Sequence, residues 1–249
     1  MAEPLLAVRG LLKRYGGLVA TNDVSLDVST GEVHALIGPN GAGKTTLVAQ
    51  LAGEVIPDAG AVHFAGIDIT REPPFRRSMH GLARSFQITT ICPEFSVLDN
   101  VALAVQAHTG HSFHFWRPAR RAHTLREPAR HWLSEVGLSD RADVQAGTLA
   151  HGEKRTLELA MALATGPRML LLDEPMAGAG PEDSARMVRL LAGLKGRQAI
   201  LLVEHDMDAV FALADTITVL VRGSVIASGP PDAIRQDPAV LEAYLGEDA

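Results

Sequence analysis

The chain carries a single cysteine, Cys92, among 249 residues, so no internal disulfide can form and the composition suits a reducing compartment. That thiol reads as a small half-buried residue rather than a nucleophile. Excess positive charge is also missing: the formal net charge is −6, with acids and bases interspersed. A broad cationic footprint for nucleic acid is thereby excluded. Long apolar runs are absent, since "RMLLLDE" and "AILLVEH" fall far short of the roughly 18 residues needed to span a bilayer. The opening "MAEPLLAVRG" has no basic region followed by an apolar run and a cleavage site, so secretion is not expected. Repeats and low-complexity segments are lacking as well. If such a chain works at a membrane, another subunit must hold it there.

What is present is a globular composition, 47% hydrophobic and 21% charged, on a chain long enough for one large domain with an inserted lobe. Glycine-punctuated, β-rich segments come first, "LLAVRGLLKRYGG" and "VSLDVSTGEVHALIG", with Val33, Ala35 and Ile37 on one face of a strand. "KTTLVAQLAG" reads as a short helix closed by Gly53, and "AVHFAGIDIT" as a hairpin. From Ile91 to Gly166 the periodicity is helical, as in "ARHWLSEVGL" and "EKRTLELAMALA". After it, "RMLLLDE" and "AILLVEH" have the pattern of strands buried on both faces of a parallel sheet. Between them a helix with Met187, Leu190, Leu191 and Leu194 makes the crossover. "TITVLVRGSVIASG" is a hairpin around Gly223, and the tail "DPAVLEAYLGEDA" a short amphipathic helix. The expected fold is therefore α/β, with a catalytic core and β-rich part over residues 1–90 and 167–249 and a helical part over 91–166.

"GPNGAGKTT", Gly38 to Thr46, satisfies G-x-x-x-x-G-K-[ST] between a strand and a helix. Glycines let backbone N–H groups close around phosphates, and the helix N-terminus adds favourable partial charge. Pro39, Asn40 and Ala42 fill the turn between Gly38, Gly41 and Gly43. Lys44 is placed to reach the β- and γ-phosphates, Thr45 to offer its hydroxyl to Mg²⁺, and Thr46 to add a phosphate contact. Hydrolysis further needs a carboxylate for the metal shell and a group to position water. "MLLLDE" supplies both at a strand end, Asp173 for Mg²⁺ and Glu174 for the attacking water.

With these residues in place, the sequence resembles the ATP-binding subunits of ABC transporters over nearly its whole length and in that family's motif order. The resemblance implies a P-loop, RecA-like parallel core with an N-terminal antiparallel β subdomain and an inserted α-helical subdomain. It places Tyr15 of "RYGG" where the family stacks a ring on adenine, although a strand-end tyrosine can also simply pack. It places Gln87 of "ARSFQ" at the loop that senses Mg²⁺ and the lytic water, and His205 of "VEHDM" at the γ-phosphate. "LAHGEKR" stands where the family's signature "LSGGQ" belongs, so Ala150, His151, Gly152 and Glu153 would face ATP bound by a second ATPase subunit. That signature, with "EPMAGAGPE", "VEHDMDAV" and "DPAVLEAYLG", is most similar to the subunits of branched-chain amino acid uptake systems and their urea or amide relatives. The implied partners are two transmembrane permease subunits and, indirectly, a periplasmic or extracytoplasmic solute-binding protein, with no nucleic acid. The implied location is peripheral, on the cytoplasmic face of the cell membrane.

Two departures from the family pattern stand out. Gly180 replaces an Asp or Asn whose side chain joins the two sites of a dimer. Ala150 removes a serine hydroxyl, and a lost hydroxyl contact to a charged group is worth about 1.5–3 kcal/mol. His151, which replaces a glycine, either stands beside the phosphate and compensates when protonated, or is a spacer whose imidazole points elsewhere. Histidines 108, 111 and 114 have no Cys or carboxylate cluster nearby and read as a basic, aromatic surface element rather than a metal site. Trp116 and Trp132 read as packing residues. A soluble ABC-type ATPase acting on DNA or ribosomes is the competing function, but such chains carry two cassettes or a long coiled-coil insertion, and neither is present. A degenerate regulatory subunit is opposed by Lys44, Asp173, Glu174 and His205, all retained.

Overall fold

The computed structural model describes residues 3–84, 91–108 and 122–245. Two sheets and a helical layer enclose the core. The first sheet is antiparallel, in the order β2-β1-β4-β5, built from β1 (Leu6–Tyr15), β2 (Leu18–Val28), β4 (Ala59–Phe64) and β5 (Ile67–Asp68). The second runs β10-β9-β3-β8-β7-β6, from β3 (Val33–Ile37), β6 (Leu82–Arg84), β7 (Met169–Asp173), β8 (Ala199–Val203), β9 (Thr216–Val221) and β10 (Ser224–Gly229). Its pairings are parallel except the hairpin of β9 with β10.

Every residue of β3, β7 and β8 is buried, as continuous apolar runs require when both faces of a sheet are covered. Alternation then sorts the side chains. Val33, Leu170, Leu172, Ile200 and Leu202 join a cluster with residues of several helices, among them Leu157, Leu191 and Leu213, while Ala35 and Ile37, on Val33's face of β3, meet the C-terminal elements. Leu36, Leu171, Leu201 and Val203 point the other way, onto Leu47, Val48 and Leu51 of α1 (Lys44–Ala52) and onto the first sheet. Each such Leu, Ile or Val contributes about 1.5–3 kcal/mol on burial, so the centre of the parallel sheet is a rigid platform.

α1 ends at Gly53, whose φ of 84° forms a left-handed cap. The last carbonyls of α1 are met by Arg77 from α2 (Pro74–Met79), whose Nη1 donates to Gln50 O and Leu51 O at 2.7 Å each. Burial pulls the Arg77 guanidinium down to about 10 despite the nearby acids Glu72 and Asp68.

The helical layer consists of α3 (Val97–His108), α4 (His123–Glu135) and α5 (His151–Ala164), with Trp132 packed against its core. Sequence periodicity puts Leu157, Ala160, Met161 and Ala164 on the inner face of α5. The buried arc is instead Thr156, Leu157, Leu159, Ala160 and Leu163, because α3 and α4 cover one side of α5 and Leu190 and Leu194 of α6 (Pro181–Leu194) approach Leu159 and Leu163 on another. Ser139–Arg141 and Ala146–Thr148 are single 3₁₀ turns. α7 (Met207–Leu213), α8 (Pro231–Arg235) and α9 (Pro238–Leu245) complete the chain.

Candidate functional site

The parallel topology brings the loop after β3, the end of β7 and the end of β8 to one edge of the sheet. In the β3 loop the glycines do different work. A β-carbon on Gly38 would lie 2.0 Å from Leu220 O, and one on Gly43, at φ 101°, would lie 2.1 Å from Ala20 O. Gly41 is also left-handed at φ 76°, but nothing lies within 4 Å of its missing β-carbon. Two glycines are therefore fixed by close approach and the third by conformation alone. Gly223 N–H donates to Ala42 O at 2.8 Å and braces the turn from behind. The Lys44 ammonium donates to Gly38 O, and to Pro39 O at 3.0 Å, folding across the loop. Asn40 and Thr45 are exposed, and Pro39 and Thr46 half-buried. At the head of α1 the backbone presents N–H groups and partial positive charge, the donor set phosphate oxygens need.

At the end of β7 the Asp173 side chain is 1% exposed. Burial pushes its carboxyl up from the usual range, Arg84 opposes that shift, and the charge of Glu174 adds to it. Arg84, the last residue of β6, spans two acids: Nη2 lies 3.3 Å from Asp173 Oδ2 and Nη1 2.5 Å from Glu54 Oε2. Its buried Nε has no partner. Carboxylate and hydroxyl oxygens, here Asp173 and Thr45, are the hard donors that Mg²⁺ takes alongside phosphate, so the residues present fit that ion.

Glu174 has φ 50°, a conformation costing a non-glycine residue about 1–3 kcal/mol. It is held on three sides. Its N–H donates to Val203 O at 2.8 Å, and its carbonyl accepts from Ala177 N–H at 3.1 Å and from Arg155 Nη1 at 2.7 Å. His205, just past β8, is 66% exposed in its side chain, whereas the adjacent Glu204 side chain is 0% exposed. Glu204 Oε1 accepts from Met176 N–H at 2.9 Å and Oε2 from His205 N–H at 3.2 Å. One buried carboxylate thus joins the loop after β7 to the histidine after β8. Asp206 caps α7 by accepting from Ala209 N–H at 3.1 Å.

The stretch at Leu149 does open a helix, with Ala150 at the N-cap. Alanine has no side-chain oxygen, so only half of a capping box forms, from Ala150 N–H to Glu153 Oε2 at 3.1 Å. The other oxygen of Glu153 pairs with Arg141 Nε at 2.9 Å. The imidazole of His151 points back along its own helix, accepting at Nε2 from Arg155 Nε at 3.2 Å. Over Gly152 stands the Asp183 carboxylate, within 2.5 Å of where a β-carbon would be. Gly180 is ordinary extended backbone at φ −72°, with nothing within 4 Å of a missing β-carbon.

Tyr15 ends β1 with its side chain outside the core, 49% exposed, and Lys13 Nζ 5.6 Å from the ring centroid. Gln87, His111, His114 and Trp116 lie outside the described residues. His108 hydrogen-bonds Ser78 at 3.1 Å, tying α3 to α2, and among the described residues no cluster of three or more His, Cys, Asp or Glu could hold a metal. Cys92 is half-buried, as its type suggests. Sequence reasoning missed Arg84, Arg155 and Glu204. Only Glu204 had a local signal, a charge directly after the five apolar residues of β8.

Comparison with known proteins agrees with this geometry. Residues 21–177 match the family model described as ABC transporter, and residues 224–249 match one described as branched-chain amino acid ATP-binding cassette transporter. The chain is 40% identical, over 99% of its length and 100% of the relative's, to the high-affinity branched-chain amino acid transport ATP-binding protein BraF of Pseudomonas aeruginosa. It is 41% identical, with the same coverage, to the corresponding protein LivG of Salmonella typhimurium. The crystal structure of the ADP conformation of an ATP-binding cassette of an ABC transporter superposes with a TM-score of 0.86 at 30% identity, covering 98% of this chain and 100% of that one. With the family model matched over residues 21–177 and full-length relatives about 40% identical, the chain belongs to the ABC transporter family as an ATP-hydrolysing, nucleotide-binding cassette.

Proposed function

We propose that the chain is the ATPase subunit of an importer for branched-chain amino acids or related small polar solutes such as urea and amides. The observation that carries this reading is the match of residues 224–249 to the branched-chain amino acid cassette model, beside full-length relatives named for that transport. In this reading Tyr15 stacks on adenine, and the backbone from Gly38 to Gly43 with Lys44 and Thr46 holds the phosphates. Thr45, Asp173 and Gln87 would hold Mg²⁺, which would supply positive charge to offset that of the phosphates. Glu174 takes the proton of the attacking water and His205 donates to the γ-phosphate.

The other half of each site comes from a second ATPase subunit, identical or homologous. Ala150, His151, Gly152 and Glu153 of that subunit cover the γ-phosphate with the first turn of the helix, whose N–H groups lack intrahelical partners. With alanine at the N-cap, the backbone N–H groups are the donors that this turn offers.

Residues 91–166 form the lobe that moves against the rest. Between lobe and core lies a cavity of about 240 Å³, lined by Ser78, Arg84, Ala104, Glu158, Met161 and Thr165. Phe75, Met79 and Leu103 are exposed on the helices beside it. This groove is where the two permease subunits dock, and among the described residues no helix is long and apolar enough to cross a membrane. The chain accordingly sits peripherally on the cytoplasmic face, served through the permeases by an extracytoplasmic solute-binding protein.

Two experiments test the reading. Co-purification from native membrane should recover two polytopic subunits, with ATP turnover stimulated by a branched-chain amino acid and its binding protein. Glu174→Gln should lower turnover by about 10²–10⁴-fold, the usual worth of a general base, while ATP binding persists and a dimer accumulates. ATP hydrolysis stimulated by nucleic acid, with no membrane partner, would overturn the transport function. Unchanged turnover in Glu174→Gln removes that residue from its role.

A further inference from the structure

We infer that Arg155 is a positioning residue for the catalytic glutamate, and that α5 links the two ATP sites of a dimer through it. The inference rests on the two-subunit arrangement proposed above. Its starting point is the backbone of Glu174, left-handed at φ 50°. A residue in that region stays there only when its surroundings over-determine it. Of its three restraints, one is a local turn bond from Ala177 N–H and one ties it to the neighbouring strand of the rigid sheet, from Glu174 N–H to Val203 O. The third is the guanidinium of Arg155, whose Nη1 donates to Glu174 O at 2.7 Å from a helix 19 residues earlier in sequence. A charged donor makes this the strongest of the three. The direction of the Glu174 side chain therefore depends on where α5 stands.

Arg155 is itself braced. One helical turn earlier, His151 Nε2 accepts from Arg155 Nε at 3.2 Å, an i, i+4 pair on one face of α5. The guanidinium fork is thereby held at two of its nitrogens, one bonded to the signature and one to the base. This gives His151 a function inside its own chain, with its Nε2 taken by Arg155.

Position 180 explains why such a link matters here. The family's side-chain contact between sites is absent at Gly180, yet the backbone there is extended at φ −72° and a β-carbon would meet nothing within 4 Å. A side chain would fit, and none is present. α5 supplies another route: its first turn faces the partner's ATP, and about 6 Å along the axis, at 1.5 Å per residue, Arg155 holds this chain's own Glu174. When α5 shifts toward the partner's γ-phosphate, the carbonyl of Glu174 moves with it. By linkage the coupling runs both ways, so the state of Glu174's site also biases α5.

The test compares full-length Arg155→Gln, Arg155→Lys and His151→Leu with the wild type. The readouts are ATPase rate against ATP concentration, binding of a fluorescent ATP analogue, and the melting temperature. Arg155→Gln should lower kcat by about 10–100-fold, the cost of misplacing a reacting group by about an ångström, and bring the Hill coefficient down to about 1, that of uncoupled sites. Nucleotide affinity should stay within about twofold, below 0.5 kcal/mol. Arg155→Lys keeps a donor for Glu174 O and should recover much of kcat. His151→Leu keeps Arg155 but loses its brace, and should fall between them. Wild-type kcat and Hill coefficient in Arg155→Gln would overturn the inference, as would a loss of nucleotide affinity or of melting temperature that matches the loss of rate. A wild-type protein that does not hydrolyse ATP would instead overturn the functional reading beneath it.

Discussion

The loop after β3 and the end of β7 prepare for one ligand by opposite means. The loop is made mainly by backbone: its shape is set by glycines pressed against Leu220 O and Ala20 O, with the Lys44 side chain folded across it onto Gly38 O and Pro39 O. The end of β7 is made by side chains, with Arg84, Arg155 and Glu204 reaching in from β6, α5 and the end of β8 to hold Asp173, Glu174 and Met176. Adding an atom breaks the first, and removing one breaks the second. On the proposed reading, the cradle for triphosphate works best rigid, whereas a base used only in a closed dimer benefits from supports that another element can shift.

Gly43→Ala should show the largest effect, because it combines a left-handed φ with a β-carbon 2.1 Å from Ala20 O. We expect nucleotide binding to fall by more than about 100-fold and stability by at least about 1–3 kcal/mol, measured by analogue binding and urea titration. Retained binding would mean the loop is softer than its contacts imply. Glu204→Ala comes next. It leaves the buried Met176 N–H unsatisfied, at a cost of about 1–3 kcal/mol, and frees the part-buried His205 N–H, so turnover should drop further than nucleotide affinity does. Glu204→Gln keeps one acceptor and should lose less; equal losses would show that the charge, rather than the pair of bonds, is what matters there. Gly41→Ala is the mildest, with φ 76° but open space around the new carbon, so about 1 kcal/mol is expected from conformation alone. If its urea midpoint matched that of Gly43→Ala, close approach would not be what distinguishes these glycines.

The same contrast decides what could be read from sequence. The phosphate loop lies in nine consecutive residues between a strand and a helix, and β3, β7 and β8 announce themselves as unbroken apolar runs, so the core and its two acids were legible. β6 was not, since three residues carry no period, and α2 was hidden behind two prolines. The bracing residues were not legible either. Arg84 is 89 residues from Asp173, Arg155 is 19 from Glu174, and Glu204 is 28 from Met176. Each is a charge whose partner is brought in only by tertiary packing. Glu204 directly follows β8, and its partner Met176 N–H comes from the loop after another strand. At His151 two readings were open, and the bond to Arg155 fits the one in which the ring turns away from phosphate.

β6 has a further consequence. Among the described residues it pairs on one side alone, with β7, and so stands at the margin of the parallel sheet. An exposed sheet margin invites another chain to extend it, and natural proteins discourage this with short, charged margins. The arginine that reaches toward Asp173 therefore also places an inward-pointing charge on a margin along which copies of the chain could otherwise stack into aggregates.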